Sequence, residues 1–122
     1  MLEVIPFEEE NIIGLRLSGA IDDEGFDRMI ERIRAVVKKH DKVRVYAEVE
    51  GFGWESIDVF FKNMQVKFEL FKEMDKFEKE ALVSDKSWIE AAAKIGDAML
   101  PSMEIKYFPV AEKELALEWI RN

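Results

Sequence analysis

Cysteine is absent from these 122 residues, histidine occurs once, and proline and glycine are scarce at three and six. Without cysteine there is no disulfide and no thiolate metal site, a composition compatible with a reducing cytosol. The one histidine, His40, sits among Lys38, Lys39 and Lys42, so its expected place is a helix cap or solvent, and no metal site is expected. Glycine forms no phosphate cradle: Gly51-x-Gly53 is too short for a dinucleotide fingerprint, and the following Glu55 would repel a pyrophosphate. No cofactor is expected. Long apolar runs are missing as well, and Met1-Leu2-Glu3-Val4 carries no basic leader. Neither a signal peptide nor stable membrane insertion is therefore expected, and the localisation reads as cytoplasmic. Basic charge is the last shortfall. Eighteen Lys and Arg against 26 Asp and Glu leave a net charge of −8, a field that repels nucleic-acid phosphates and anionic lipid heads.

What is present suffices for one domain spanning residues 1–122. Hydrophobic residues make up 48% and charged residues 36%, enough for a core and for a soluble surface, and a chain of this length buries well over half of its unfolded surface. Residues 2–7 and 11–18 read as strands, the second with Ile13, Leu15 and Leu17 alternating against Ile12, Gly14 and Arg16. The acidic Glu8-Glu9-Glu10-Asn11 reads as their hairpin connection. Asp22-Asp23-Glu24 supplies a helix N-cap rather than a calcium loop, whose alternating ligand spacing it lacks. The helix it opens carries Phe26, Met29, Ile30, Ile33, Val36 and Val37 on one stripe and ends in Lys38-Lys39, where the helix dipole favours positive charge.

Val43, Val45, Ala47 and Val49 then alternate with Arg44, Tyr46, Glu48 and Glu50, the pattern of a strand buried on one face only. An open sheet face is expected, with Glu48 and Glu50 solvated on it rather than paired for acid/base chemistry. Gly51-Phe52-Gly53-Trp54 breaks that strand, and Ile57, Phe60, Phe61, Met64, Phe68 and Phe71 mark a second amphipathic helix. A strand over 80–84 follows. Ser84-Asp85 can cap the next helix, which carries Trp88, Ala91, Ala92, Ile95 and Met99 and stops at Pro101. Residues 103–108 form the last strand, and Pro109 leads into a final helix whose buried side should include Leu115, Ala116, Trp119 and Ile120. The order is ββαβαβαβα. A hairpin followed by strict alternation predicts an α/β fold with a mixed, mostly parallel five-stranded sheet, its helices packed mainly on one face by right-handed crossovers.

Two stretches carry a resemblance. Residues 80–88, Glu-Ala-Leu-Val-Ser-Asp-Lys-Ser-Trp, are similar to the hydrophobic strand and D-K-x-W helix start of the SpoIIAA-like branch of the STAS superfamily. The tail, Glu104-Ile105-Lys106-Tyr107-Phe108 and then a helix closing on Leu117-Glu118-Trp119-Ile120, resembles that family's ending. The resemblance implies the STAS architecture over essentially the whole chain, and a fold that has been compared with lipid-binding CRAL-TRIO domains. In anti-sigma antagonists of the superfamily, a serine at the start of the helix after the third strand is phosphorylated within an Asp-Ser-Ser-Gly type sequence. The corresponding stretch here is Gly51-Phe52-Gly53-Trp54-Glu55-Ser56, which departs from that motif and leaves Ser56 as the residue in its place.

Function is sought at the carboxyl ends of the strands, where open α/β sheets bind ligands. Phe52 and Trp54 stand between and beside glycines at one such end, and Trp88 opens the helix at the next. With Phe60, Phe61 and Met64 they would line an apolar crevice for a small hydrophobic ligand. The competing reading makes the same rings a cap on the core. A second apolar stripe, Val59, Val66 and Leu70, lies opposite the core stripe of its helix and is either a homodimer seam or chance. No catalytic constellation is visible, since no serine has a histidine or lysine signature near it. The expectation is a non-enzymatic module binding a lipophilic ligand. The alternative is a regulatory interaction domain of anti-sigma-antagonist type, controlled by phosphorylation at Ser56.

Overall fold

A computed structural model describes residues 2–19, 22–51, 74–99 and 102–122. The helix expected over 57–71 lies outside them. The described strands are β1 (Leu2–Ile5), β2 (Ile12–Ser18), β3 (Val43–Glu50), β4 (Phe77–Val83) and β5 (Glu104–Phe108). The described helices are α1 (Asp23–Lys39), α2 (Ser87–Met99) and α3 (Lys113–Arg121), with single 3-10 turns at Met74–Lys76 and Val110–Glu112. The sheet order is β1-β2-β3-β4-β5; β1 is antiparallel to β2, and every later pair is parallel. This is the mixed α/β sheet that the alternation of strand and helix patterns predicts. β4 begins at Phe77, earlier than expected, with an irregularity in its pairing between Val43 and Arg44.

One face carries most of the core. Ile13, Leu15, Val43, Val45 and Phe77 meet the stripe Phe26, Met29, Ile30, Val36 and Val37 of α1. The start of α1 is set by Asp22, whose carboxylate accepts the Gly25 N–H at 2.7 Å, and its end by Lys38 and Lys39 followed by His40 as C-cap. α2 lies on the same side, but not on the expected stripe. Ile89 and Ala93 are buried, whereas Ala91 and Ala92 are exposed and Ile95 is 60% exposed. Gly96 explains the rotation: the Ile105 side chain comes within 2.9 Å of where a Cβ would stand, so this helix approaches β5 through its smallest residue.

The other face is not open, contrary to the one-sided pattern of β3. α3 covers it, and Tyr46 is 0% and Glu48 4% exposed beside Ile12, Ala81, Val83, Phe108, Ala116 and Ile120. Polar side chains are buried here because the covering helix satisfies them. Arg44 Nη1 donates to Ile120 O at 2.8 Å and Lys79 Nζ to Trp119 O at 3.3 Å, placing two cations on the last carbonyls of α3, where the dipole is negative. Lys79 also stands 4.8 Å above the Trp119 ring. These contacts turn Ala116 and Ile120 inward, and Leu115, expected to be buried, is left 54% exposed.

Gly14 sits opposite Tyr46 in the β2–β3 register. Its missing side chain admits the Phe7 ring, which meets Tyr46 edge-on at 5.6 Å. At the edge of the sheet, the Ile105 N–H is taken by Asp97 Oδ1 at 2.9 Å, which removes a donor from a strand that has a neighbour on one side only.

Candidate functional site

The carboxyl ends of β2, β3, β4 and β5 converge on a small apolar cluster. Leu17, Val49 and Ile89 are its buried members, and Leu2, Leu82, Trp88 and Tyr107 pack on it with part of their surface open. Leu17, Val49 and Leu82 come from the last turns of their strands because each strand alternates inward apolar residues, and Trp88 comes from the first turn of α2, which starts two residues after Asp85. Trp88 therefore belongs to a strand-end rim, as its position in the sequence implies. Phe52, Trp54, Ser56, Val59, Phe60, Phe61, Met64, Val66 and Leu70 lie outside the described residues.

Backbone geometry fixes the connections leaving this rim. Gly19 and Gly51, at the ends of β2 and β3, have φ of 63° and 59°, a region that side chains with a Cβ disfavour, and the Gly19 N–H donates to Glu50 O at 3.1 Å. Ser84 and Asp85 do not act as the expected helix caps. The Ser84 Oγ accepts the Lys86 N–H at 3.2 Å, before α2 begins, and Asp85 Oδ1 accepts the Val110 N–H at 3.2 Å, tying the β4 end to the β5 end. The Tyr107 hydroxyl donates to Ser84 O at 2.7 Å, which locks the same two ends. Burial raises the pKa of Tyr107, and the negative charges of Glu90, Asp85 and Glu112 raise it further.

The opposite face of the sheet carries a polar cluster that the sequence reading assigned to solvent. Glu48 Oε1 receives Arg16 Nε and Lys113 Nζ, each at 3.2 Å, and Oε2 receives the Tyr46 hydroxyl at 2.9 Å. Arg16 also reaches Glu3 at 3.2 Å. Burial pushes the Glu48 carboxyl up, but the hydrogen bonds from Tyr46, Arg16 and Lys113 outweigh it and hold the group below its ordinary range. Tyr46 is shifted upward, by burial first and then by its bond to Glu48. With its donors and acceptors paired among themselves, this cluster docks α3 on the sheet. The detectable signal was the spacing of Arg16, Tyr46 and Glu48, which alternation puts on one face, but Lys113 lies 65 residues further on and only the fold brings it there. Among the described residues no group of His, Asp or Glu has the proximity to hold a metal ion. His40 is the C-cap of α1.

A family model described as SpoIIAA-like matches residues 12–121. The chain belongs to the SpoIIAA-like family. Both stretches that resemble it, 80–88 and 104–120, fall within the match. The same architecture recurs in the crystal structure of a protein from Shewanella loihica PV-4, described as an uncharacterized member of the DUF3478 family with a SpoIIAA-like fold. The two chains superpose with a TM-score of 0.65 over 98% of this chain and 92% of that one at 13% identity, a likeness of fold alone. The comparison with curated proteins returned no match. Among the described residues no helix is long and apolar enough to cross a membrane. The SpoIIAA-like fold supports a regulatory or binding module in general terms.

Proposed function

We propose that this SpoIIAA-like domain is a non-enzymatic binding module that takes a small lipophilic ligand at the carboxyl ends of its parallel strands. One observation carries the reading: Trp88 and Tyr107, both only half-buried, pack on Leu17, Val49 and Ile89 where four strands end. An aromatic surface at that end of an open α/β sheet is where such folds take ligands. The glycines at 19 and 51 support it, because both turns leave the sheet at the same rim. Binding rather than catalysis is favoured by the buried carboxylate of Glu48, whose oxygens are committed to three side chains of the same protein.

Nile red, a neutral lipophilic fluorophore, tests the reading. Saturable enhancement of its emission is expected with wild type. Trp88→Ala should weaken it severalfold while the far-ultraviolet circular dichroism stays unchanged, and Trp119→Phe, on the opposite face, should not. No enhancement with wild type, or equal enhancement in Trp88→Ala, overturns the proposal.

A further inference from the structure

α1 and α3 are held to the sheet by different means. α1 buries Phe26, Met29, Ile30, Val36 and Val37, whereas α3 buries only Ala116 and Ile120, with Leu117 and Trp119 partly covered. Charged contacts hold α3 at both ends. Lys113 meets Glu48 at 3.2 Å, Arg121 meets Glu9 at 2.8 Å, and the Ile120 and Trp119 carbonyls accept from Arg44 and Lys79. The sheet has partners of its own for the least exposed of these groups. Glu48 is bound by Arg16 and Tyr46 as well, and Arg44 Nε donates to Glu78 at 3.0 Å. Departure of α3 therefore strands neither the Glu48 carboxylate nor the Arg44 guanidinium, and Lys79 can extend its stem into water. The alternation of Arg44, Tyr46 and Glu48 along β3, written like a solvated strand face, suits the uncovered state as well as the covered one.

We infer that α3 is a detachable cover, which leaves the sheet as a unit while the five strands stay folded and so controls access to the apolar strip Ile12, Ala81, Val83 and Phe108 beneath it. The joint is the 3-10 turn Val110–Glu112, whose start is fixed to the sheet by the Val110 N–H on Asp85. A helix of nine residues is marginal in water by itself, so α3 loses its own hydrogen bonds when it leaves. Because Lys113, Arg121 and their partners are partly exposed, the equilibrium responds to salt. The device is independent of the strand-end rim, which belongs to the other face.

The absence of cysteine allows a direct test, since a single introduced thiol reports the uncovering of its own site. Ala81→Cys lies under α3 and Val43→Cys under α1, both at positions that are 0% exposed. With neutral iodoacetamide in native buffer, Ala81→Cys should be alkylated about tenfold faster or more than Val43→Cys, because the first needs only local opening. About 1 M NaCl should speed Ala81→Cys by about threefold and leave Val43→Cys unchanged. Lys113→Gln added to Ala81→Cys should do the same without salt. Val83→Cys, in the same strip, replaces Ala81→Cys if that variant does not fold. Hydrogen exchange of the unsubstituted chain gives a second reading, with the amides of Leu117 to Ile120 expected to exchange faster than those of β3. Equal alkylation of the two thiols, or α3 amides as slow as those of β3, overturns the detachable cover; a difference that neither salt nor Lys113→Gln enlarges overturns its control by charge.

Discussion

The Tyr46 phenol donates to Glu48 Oε2 at 2.9 Å, two residues along the same strand, and this pair lies in the interior although the pattern of β3 places it outside. Glu48 in turn holds Arg16 of β2 and Lys113 of α3, so a single carboxylate joins two strands and a helix.

Removal of that carboxylate should cost more than removal of the phenol hydroxyl. Tyr46→Phe deletes one hydrogen bond and leaves Glu48 with both cations, a loss of about 1 kcal/mol. Glu48→Ala strands Arg16 and Lys113 without their shared counter-charge and leaves Tyr46 unpaired, a loss of about 2–3 kcal/mol, moderated because both cations are partly exposed. Urea midpoints of the two variants beside wild type give the order; a Glu48→Ala midpoint equal to wild type would show that the cluster does not hold α3.

Glu80 makes the pH dependence run in an unusual direction. It pairs in register with Val45 and Ile105, on the apolar α1 side of the sheet. Part of the residue stays open to solvent, yet burial pushes its carboxyl up to about 7 from an ordinary 4.5. The folded state therefore holds a proton that the unfolded chain releases, and Glu80 should lower stability progressively as pH rises from 4.5 to about 7. Glu48 acts oppositely. Its depressed pKa contributes stability that is in full above 4.5 and is lost as pH falls through its lower folded value. Glu80→Gln should flatten the decline between 4.5 and 7 and be more stable than wild type at pH 8. Urea melts across this range check it, and an unchanged slope in the variant would refute the role of Glu80.

Gly14→Ala should be harmful for a steric reason. The new methyl would meet the Ile5 carbonyl and the Phe7 ring, the latter at 2.6 Å, and the carbonyl belongs to paired backbone that cannot step aside. A loss of about 1–3 kcal/mol is expected from overpacking. Thermal melts of Gly14→Ala would measure it, and Phe7→Leu combined with Gly14→Ala should recover only the part due to the ring.

Much of the architecture was legible because hydrophobic periodicity is a local property. The 3.6-residue stripe of α1, the Asp22 cap, the hairpin over Glu8-Glu9-Glu10-Asn11 and the parallel order all follow from neighbours within a few residues. The faces of α2 and α3 were less legible, since Ala91, Ala92 and Leu115 are as apolar as the residues that became buried. Which side turns inward depended on Gly96 meeting Ile105 and on Arg44 and Lys79 reaching the end of α3. The site was legible in one respect: Trp88 stands at the strand-end rim. Tyr107, which packs on the same cluster, was missed because a tyrosine alternating in an edge strand carries no local mark of the rim it joins.

Local patterning, then, determined the α/β class, the succession of strands and helices, and the family resemblance, because each depends on spacing along the chain. Tertiary structure alone decided that the polar face of β3 is buried, that Trp88 and Tyr107 pack on one apolar cluster, and that Glu48 finds Lys113. Those outcomes depend on partners distant in sequence, and alternation specifies which residues share a face without specifying what will come to cover it.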